Sequence, residues 1–442
     1  MVVHRGPRAT TVALATMFLL TAAACGAPAA LPSSSTSGVV SASASGQPVS
    51  AVDAARAELA QLVDRLEQIH PEPYHGIDRD TWMASLDDLS ERLPQLTPLQ
   101  AQVELQRLVA LLSREGRDGH QFALPLPEVE GPVLPIRVYE FADGVFVTDA
   151  LDPYGDLVGA RLAAIGGHPI GEVLDAVEPL IPRDSPVTVS DFRPVVLLRT
   201  SVLRGLGLVE EGAVAVTVTD SDGASREASL EPVPFADWVA WAGPLGMVRL
   251  PARAGTLYLS NLDERFWTRF LDDSGTLYVR YSMVGPAPSE EIAAMLDRAA
   301  EPDVVRVVFD LRQNPGGDNT TYPSLLSALR SPIIDRPGRF FVLTDHVTFS
   351  AAANLATELE QTTSAIFAGE PMGGGLNFWN DVDWVVLRDW PVPMQVGIST
   401  RYWQKAEPDD PRLTIEPDVP APLLGADYFA GRDPALEAVL AR

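Results

Sequence analysis

Residues 304–317 read VVRVVFDLRQNPGG, and residues 340–361 read FFVLTDHVTFSAAANLATELEQ. The first stretch is apolar, Arg306 aside, until Asp310. Such a run is the pattern of a parallel strand buried on both faces, where no solvent side imposes alternation. Asn-Pro-Gly-Gly then breaks the strand and leads into a helix. The second stretch repeats the order, with a strand over 340–346 and an Ala-rich helix over 350–361. Strand, turn and helix in succession predict a parallel sheet covered by helices, so residues 236–442 read as an α/β (αβα) domain.

Working outward, the pattern changes twice. Leu59, Leu62, Val63, Leu66 and Ile69 recur at three- and four-residue spacing, which gives one apolar helix face. A second helix carries Trp82, Leu86, Leu89 and Leu93. A third starts at Thr97, with Pro98 in the first turn and Gln100 placed to reach back, and runs to about Gly116. Residues 51–125 therefore form a helical cap domain. Residues 126–235 alternate short β-rich runs with Gly, Pro and Asp turns, a β-rich domain. The whole is an α/β, multidomain (α+β) chain, long enough for more than one core at 442 residues.

The N-terminal region reads as an address. Arg5 and Arg8 precede an apolar run of about twelve residues that ends Ala22-Ala23-Ala24-Cys25. This order resembles a bacterial lipoprotein signal, which implies cleavage after residue 24 and lipidation of Cys25. Residues 1–25 are assigned to the signal and residues 26–50, rich in Ser, Ala, Gly and Pro, to a flexible linker. The expected location is the outer face of the cell membrane, held through the lipid anchor only. The processed chain would carry 31 basic against 59 acidic residues, a net charge of −28. That balance excludes nucleic acid, whose phosphates need Lys and Arg. A single cysteine excludes a disulfide framework and a Cys-built metal site.

Two positions stand out chemically. Ser350 opens the second helix, where unpaired backbone N–H groups such as that of Ala351 can stabilise an oxyanion. Taken alone, a serine at a helix start is usually just an N-cap. Gly316 and Gly317 let backbone approach a ligand closely, or simply make a tight turn. His70, Glu72, His75, Asp78 and Asp80 cluster in IHPEPYHGIDRD (69–80), but their spacing suits no helix face, and no metal or other cofactor is expected. The glycines at 373–375 lack the strand–G-x-x-x-x-G-K context of a phosphate loop.

DLRQNPGG followed by LTDHVTFSAA and then GEPMGGGLN resembles the serine peptidases of the tail-specific (C-terminal processing) protease and tricorn-core group. The resemblance runs from the helical region to the C-terminus. It implies a crotonase-like catalytic domain preceded by a PDZ-like one, the latter on the stretch VGARLAAIGGHPIGEVLDAVEPL (158–180). It implies Ser350 as nucleophile, with the amides of Gly316 or Gly317 and Ala351 as oxyanion hole. Lysine-type members carry their base in G-x-x-T-x-G-K-G, which here reads GEPMGGGL without lysine. Lys405 is the only lysine in the chain, and arginine is protonated too firmly to replace it.

The expected base is therefore histidine. His120, in Arg117-Asp118-Gly119-His120-Gln121, resembles the D-G-H-T motif of tricorn-like members and ranks first. His346 ranks second, and His168 reads as a surface residue. The same likeness places an orienting acid in RYWQKAEPDDPRLTIEPDV (401–419), with Asp410 first, Glu407 second and Asp118 below both. Met372 and Gln121 stand where the family has threonine, and both are expected to flank the cleft. The function implied is a serine endopeptidase acting on peptide or protein substrates. The alternative is a catalytically inactive binding lipoprotein of the same fold, taking an apolar ligand or a peptide tail, with Met372 lining the pocket.

Overall fold

Ser50 and Thr97 start two of the first three helices by accepting hydrogen bonds from backbone N–H groups three residues on. These helices are α1 (Ala51–Ile69), α2 (Arg79–Arg92) and α3 (Pro98–Ala110). Gln100 completes the capping box with Thr97, as its spacing predicts. The third helix stops at Ala110 and tightens into a 3-10 turn over Leu111–Ser113, short of Gly116. The chain is described by a computed structural model over residues 50–253 and 255–442. The signal, Cys25 and linker residues 26–49 lie outside the described residues. Among the described residues, no helix is long and apolar enough to cross a membrane.

A short strand, β1 (Ala123–Pro125), leads to a mainly antiparallel sheet. Its strands are β2 (Ile136–Phe141), β3 (Gly144–Ala150), β4 (Arg161–Ile165), β5 (His168–Pro169), β6 (Val214–Thr219) and β7 (Ser225–Leu230). Their order is β2-β3-β4-β6-β7, with β5 beside β4. Strand β4, the turn and helix α4 (Ile170–Val177) follow the order read from residues 158–180. Two helices were not legible there, α5 (Thr188–Leu197) and α6 (Thr200–Gly205). The sequence of α5 contains β-branched residues and Pro194, which argue locally against a helix, and tertiary packing of Val189, Phe192 and Leu197 overrides them. Helix α7 (Phe235–Ala242) closes this region.

The third region is the α/β unit. It comprises β8 (Phe266–Leu271), β9 (Thr276–Tyr281), α8 (Ser289–Ala300), β10 (Arg306–Asp310), α9 (Pro323–Leu329), β11 (Phe340–Thr344), α10 (Ala351–Thr362) and β12 (Ile366–Gly369). A long hairpin follows, β13 (Asn377–Leu387) and β14 (Met394–Gln404), then β15 (Val419–Pro420), α11 (Gly425–Ala430) and α12 (Pro434–Leu440). The sheet order is β15-β12-β11-β10-β9-β8, parallel except for β8 at the edge. Val307 and Phe309 face a core with α8, α9 and α10, whereas Val308 faces α12, so β10 is buried on both sides. That two-sided burial is what its unbroken apolar sequence anticipates.

The hairpin crosses between regions. Val385, Leu387, Met394, Val396 and Ile398 share one core with Leu59, Leu66, Trp82 and Leu105 of the first three helices. Three short helices bury too little surface by themselves, and strands from nearly three hundred residues later complete their core. Strand β14 also pairs with β1, three residues beyond His120. The loops after β10, β11 and β12 open side by side at the carboxyl ends of adjacent parallel strands, where α/β sheets build their sites.

Candidate active site

Each polar residue of DLRQNPGG has a partner that shapes the turn. Asp310 is fully buried, accepts from Tyr278 Oη at 2.6 Å and pairs with Arg312 Nη2 at 2.6 Å. Arg312 reaches on to Asp433 before α12, tying the C-terminal helix to the strand end. Gln313, at φ 57°, donates from Nε2 to Asp345 Oδ2 at 2.7 Å and accepts from the Leu250 amide. Asn314 Oδ1 accepts from the Gly316 amide at 3.0 Å, and its backbone carbonyl accepts from the Phe349 amide at 3.1 Å. The loop after β10 is thus fastened to the turn before Ser350.

Ser350 follows that turn at φ 52° and ψ −125°, a conformation uncommon for a residue with a Cβ, and holds the N-cap position of α10 without a side-chain capping hydrogen bond. It is fully buried. A Cβ placed on Gly316, at φ 109°, would lie 2.6 Å from Ser350 Cβ and 3.0 Å from the Ala351 nitrogen. No side chain fits there, and the strand-end backbone lies against the helix start, as the oxyanion-hole reading requires. In this state the Gly316 amide is engaged by Asn314. Gly317, at φ 140°, is pressed against the Val284 carbonyl, and a Cβ would meet that oxygen at 1.9 Å.

Sequence reasoning missed Asn380. It lies in β13, is fully buried, and its Nδ2 donates to Ser350 Oγ at 3.3 Å. The alternating pattern of residues 377–387 and 394–404 was the available signal for the hairpin, but nothing local distinguishes this asparagine from others.

His120 sits between two phenylalanines. Its ring stacks on Phe349, the residue before Ser350, at 4.6 Å, and on Phe378, two before Asn380, at 5.5 Å. Neither ring nitrogen has a hydrogen-bond partner among the described residues. Burial lowers its pKa to about 4, against a raising influence from the Asp118 charge. The imidazole is therefore neutral at neutral pH and keeps a lone pair for a proton.

The loop around it is held at every other residue. Arg117, at φ 73°, accepts through its carbonyl from the Trp379 amide at 2.7 Å, and its Nη1 donates to Tyr402 Oη at 3.0 Å. Asp118 accepts from Ser399 Oγ at 2.7 Å, Gln121 Nε2 at 2.8 Å and His70 Nε2 at 3.2 Å. The Gly119 amide donates to Asp184 Oδ1 at 2.5 Å.

The expected acids lie elsewhere. The Asp410 carboxylate pairs with Arg412 at 2.7 Å, which lowers its pKa, and only its backbone carbonyl touches the His120 loop, through Arg117 at 3.3 Å. Glu407 is exposed, and its carbonyl accepts from Asn377 Nδ2. Neither carboxylate is brought to His120; the nearer charge acting on the imidazole is Asp118.

His346 is buried as deeply but charged. Burial opposes its positive charge, yet Glu370 at 3.6 Å, with Asp345 and Asp191, raises its pKa to about 9. A protonated imidazole cannot accept the serine proton. Lys405 pairs with Glu358 at 2.9 Å, eight residues along from Ser350 and so about 12 Å down the helix axis. His168 lies near Glu172 at the surface.

Met372 and Gln121 do not flank an open cleft. Met372 is fully buried in the core shared by α8, α9 and α10, and Gln121 is fully buried against Asp118.

His70, His75 and Asp118 do converge, their potential ligand atoms all within 4.8 Å of one another. His70 Nδ1, however, accepts from the Glu72 amide at 3.0 Å. That bond requires a lone pair on Nδ1 and so puts the proton on Nε2, which faces Asp118. The donor set fits a hydrogen-bonded carboxylate better than a cation, because a metal at Nε2 would need the opposite tautomer.

No family model matches the chain, and no curated protein matches it. Among solved structures the chain is similar to mature CPAF complexed with lactacystin, at TM-score 0.58 and 14% identity, covering 88% of this chain and 97% of that one. It is also similar to mature CPAF, at TM-score 0.53 and 14% identity, covering 88% and 96%. The likeness is one of fold, and it places this chain among multidomain α/β structures of that architecture.

Proposed function

We propose that the chain is a serine peptidase that cleaves peptide bonds through an acyl-enzyme on Ser350, with His120 as general base. One observation carries the reading: a serine with positive φ at the start of α10, under a glycine that admits no side chain, and a neutral imidazole stacked on Phe349, the residue before it, with no hydrogen-bond partner among the described residues. The fold shared with CPAF supports it.

In this mechanism His120 takes the Ser350 hydroxyl proton as Oγ attacks the peptide carbonyl carbon. The Ala351 amide, and the Gly316 amide once Asn314 releases it, hold the oxyanion. The C–N bond breaks as protonated His120 gives its proton to the leaving amine. Water, deprotonated by the same imidazole, then releases the acid and regenerates Ser350. Burial makes the imidazolium a strong acid and hence a ready donor to the amine. Asn380 Nδ2 fixes the rotamer of Oγ before attack. Ser350 and His120 are closed from solvent, so a substrate enters only when the covering loops part.

On this reading the substrate is a peptide or protein, and the lipidation of Cys25 that the signal-like N-terminal sequence suggests would hold the enzyme at the outer face of the cell membrane. Replacing Cys25 by serine is then expected to move it to the soluble fraction. A fluorophosphonate probe is expected to label Ser350 in the native wild-type protein. A folded protein that does not label, cleaves no peptide library and is stabilised by apolar ligands would instead be the binding protein of the alternative reading.

A further inference from the structure

We infer that Asp184 is a positioning residue for the Ser350–His120 pair, holding the loop that carries the base and the glycine loop behind the nucleophile at one fixed separation. The inference rests on the reading of those two residues as nucleophile and base.

Asp184 lies between α4 and α5, in a segment contributed by the β-rich region, and is fully buried. Its Oδ1 accepts from the amide of Gly119, the neighbour of His120, and its Oδ2 accepts from the amide of Gly375 at 3.3 Å. The adjacent Gly374 packs against the nucleophile turn, where a Cβ would lie 3.2 Å from the Ser350 nitrogen. One carboxylate therefore bridges the two halves of the site.

The surrounding backbone repeats the bridge. The Asp184 carbonyl accepts from the Arg117 amide at 2.8 Å, and the Arg183 carbonyl from the Asp118 amide at 3.1 Å. On the other side, Ser185 Oγ and Thr188 Oγ1 both donate to the Gly373 carbonyl, at 3.3 and 2.5 Å. No side chain separates the layers. A Cβ on Gly119 would sit 3.0 Å from Asp184 Oδ1, and one on Gly375 would sit 3.3 Å from Asp184 Cβ.

The choice of a carboxylate is informative. Burial and the nearby Asp118 charge raise its pKa, and the Gly119 and Gly375 amide bonds oppose that shift because they favour the ionised form, the one that accepts at both oxygens. No cation offsets this among the described residues in hydrogen-bond contact with it. A residue needed only to fill the space would be apolar, because an uncompensated buried carboxylate is costly. What an apolar residue lacks is two acceptors aimed at two loops.

Asp184→Asn tests this. Asparagine keeps one acceptor but turns an N–H toward the second amide, so one loop is released. A displacement of the base by about 1 Å is expected to lower kcat by about 10- to 100-fold with KM within about threefold, and to slow fluorophosphonate labelling equally. Asp184→Ala, which frees both loops, is expected to lose more. The second readout is the His120 imidazole NMR signal, expected to shift in Asp184→Asn while that of His346 stays. Wild-type kcat and labelling rate in a folded Asp184→Asn protein would overturn the inference, as would a lowered melting temperature with kcat unchanged. Should the wild-type protein not label at Ser350, the nucleophile reading fails. The NMR arm still decides the clamp, since an unmoved His120 signal overturns it.

Discussion

His120 and His346 are buried alike, 6% and 7% exposed, yet lie at opposite ends of the imidazole range. His120 is flanked by two phenylalanine rings and one carboxylate that does not bond it, so burial prevails and its pKa falls to about 4. His346 pays the same desolvation but faces Glu370, Asp345 and Asp191, and its pKa rises to about 9. The charge of a buried histidine is thus set by which carboxylates fold within reach of it. Of two histidines that stand in plausible places along the chain, only one can take a proton at neutral pH.

The largest effect that bears on this contrast is expected at the nucleophile. Ser350→Ala should abolish covalent labelling and lower kcat by on the order of 10⁴-fold or more. His120→Ala should lower kcat by about 10²- to 10⁴-fold, measured on the same peptide. His346→Gln should change it by less than about tenfold in folded protein. Reversal of those two results would break the assignment of the base.

Asn380→Ala should reduce the labelling rate by about fivefold, since the hydroxyl loses a neutral hydrogen bond worth about 1 kcal/mol. Labelling unchanged in this variant would remove Asn380 from the site.

The smallest effects concern stability, and the two histidines predict opposite signs. The folded pKa of His346 lies above its unfolded value near 6.5. Its contribution is therefore complete below pH 6.5 and is lost as pH rises through about 9. Glu370→Gln, which can keep the bond from the Leu423 amide, should flatten that alkaline decline by on the order of 1–3 kcal/mol in urea titrations. The folded pKa of His120 lies below 6.5. The unfolded chain then takes up the proton first, and stability falls as pH drops from 6.5 toward 4. His120→Gln should lessen that acid-side loss. Equal pH dependence in both variants would dissolve the contrast.

Much of the fold was legible because its signals are local. The unbroken apolar run of β10 gave a central strand, Thr97-Pro98-Gln100 gave a helix start, and Leu59 to Leu66 gave a helix face. Helices α5 and α6 were not legible, because Pro194 and the valines of α5 speak locally against the packing that forms it. Of the candidate site, Ser350 and the glycine turn were visible as motifs. Asn380 and Asp184 were not, because a lone polar residue in a strand or loop carries no mark of what it will face. The acid expected at Asp410 was engaged by Arg412, two residues away, a local pairing that the order of motifs does not encode.

What the sequence determined alone is whatever depends on neighbours along the chain: the period of burial, the caps, and the strand–turn–helix order that puts Ser350 at a helix start. The tertiary structure decided everything that depends on neighbours in space. It set which histidine is neutral, made a hairpin from residues 377–404 close the core of the first helices, and brought Asp184 between two loops. The physical reason is range. Periodicity and capping act over three or four residues, whereas desolvation, charge and hydrogen-bond geometry act over a few ångströms between segments that lie about 65 to 290 residues apart in the chain.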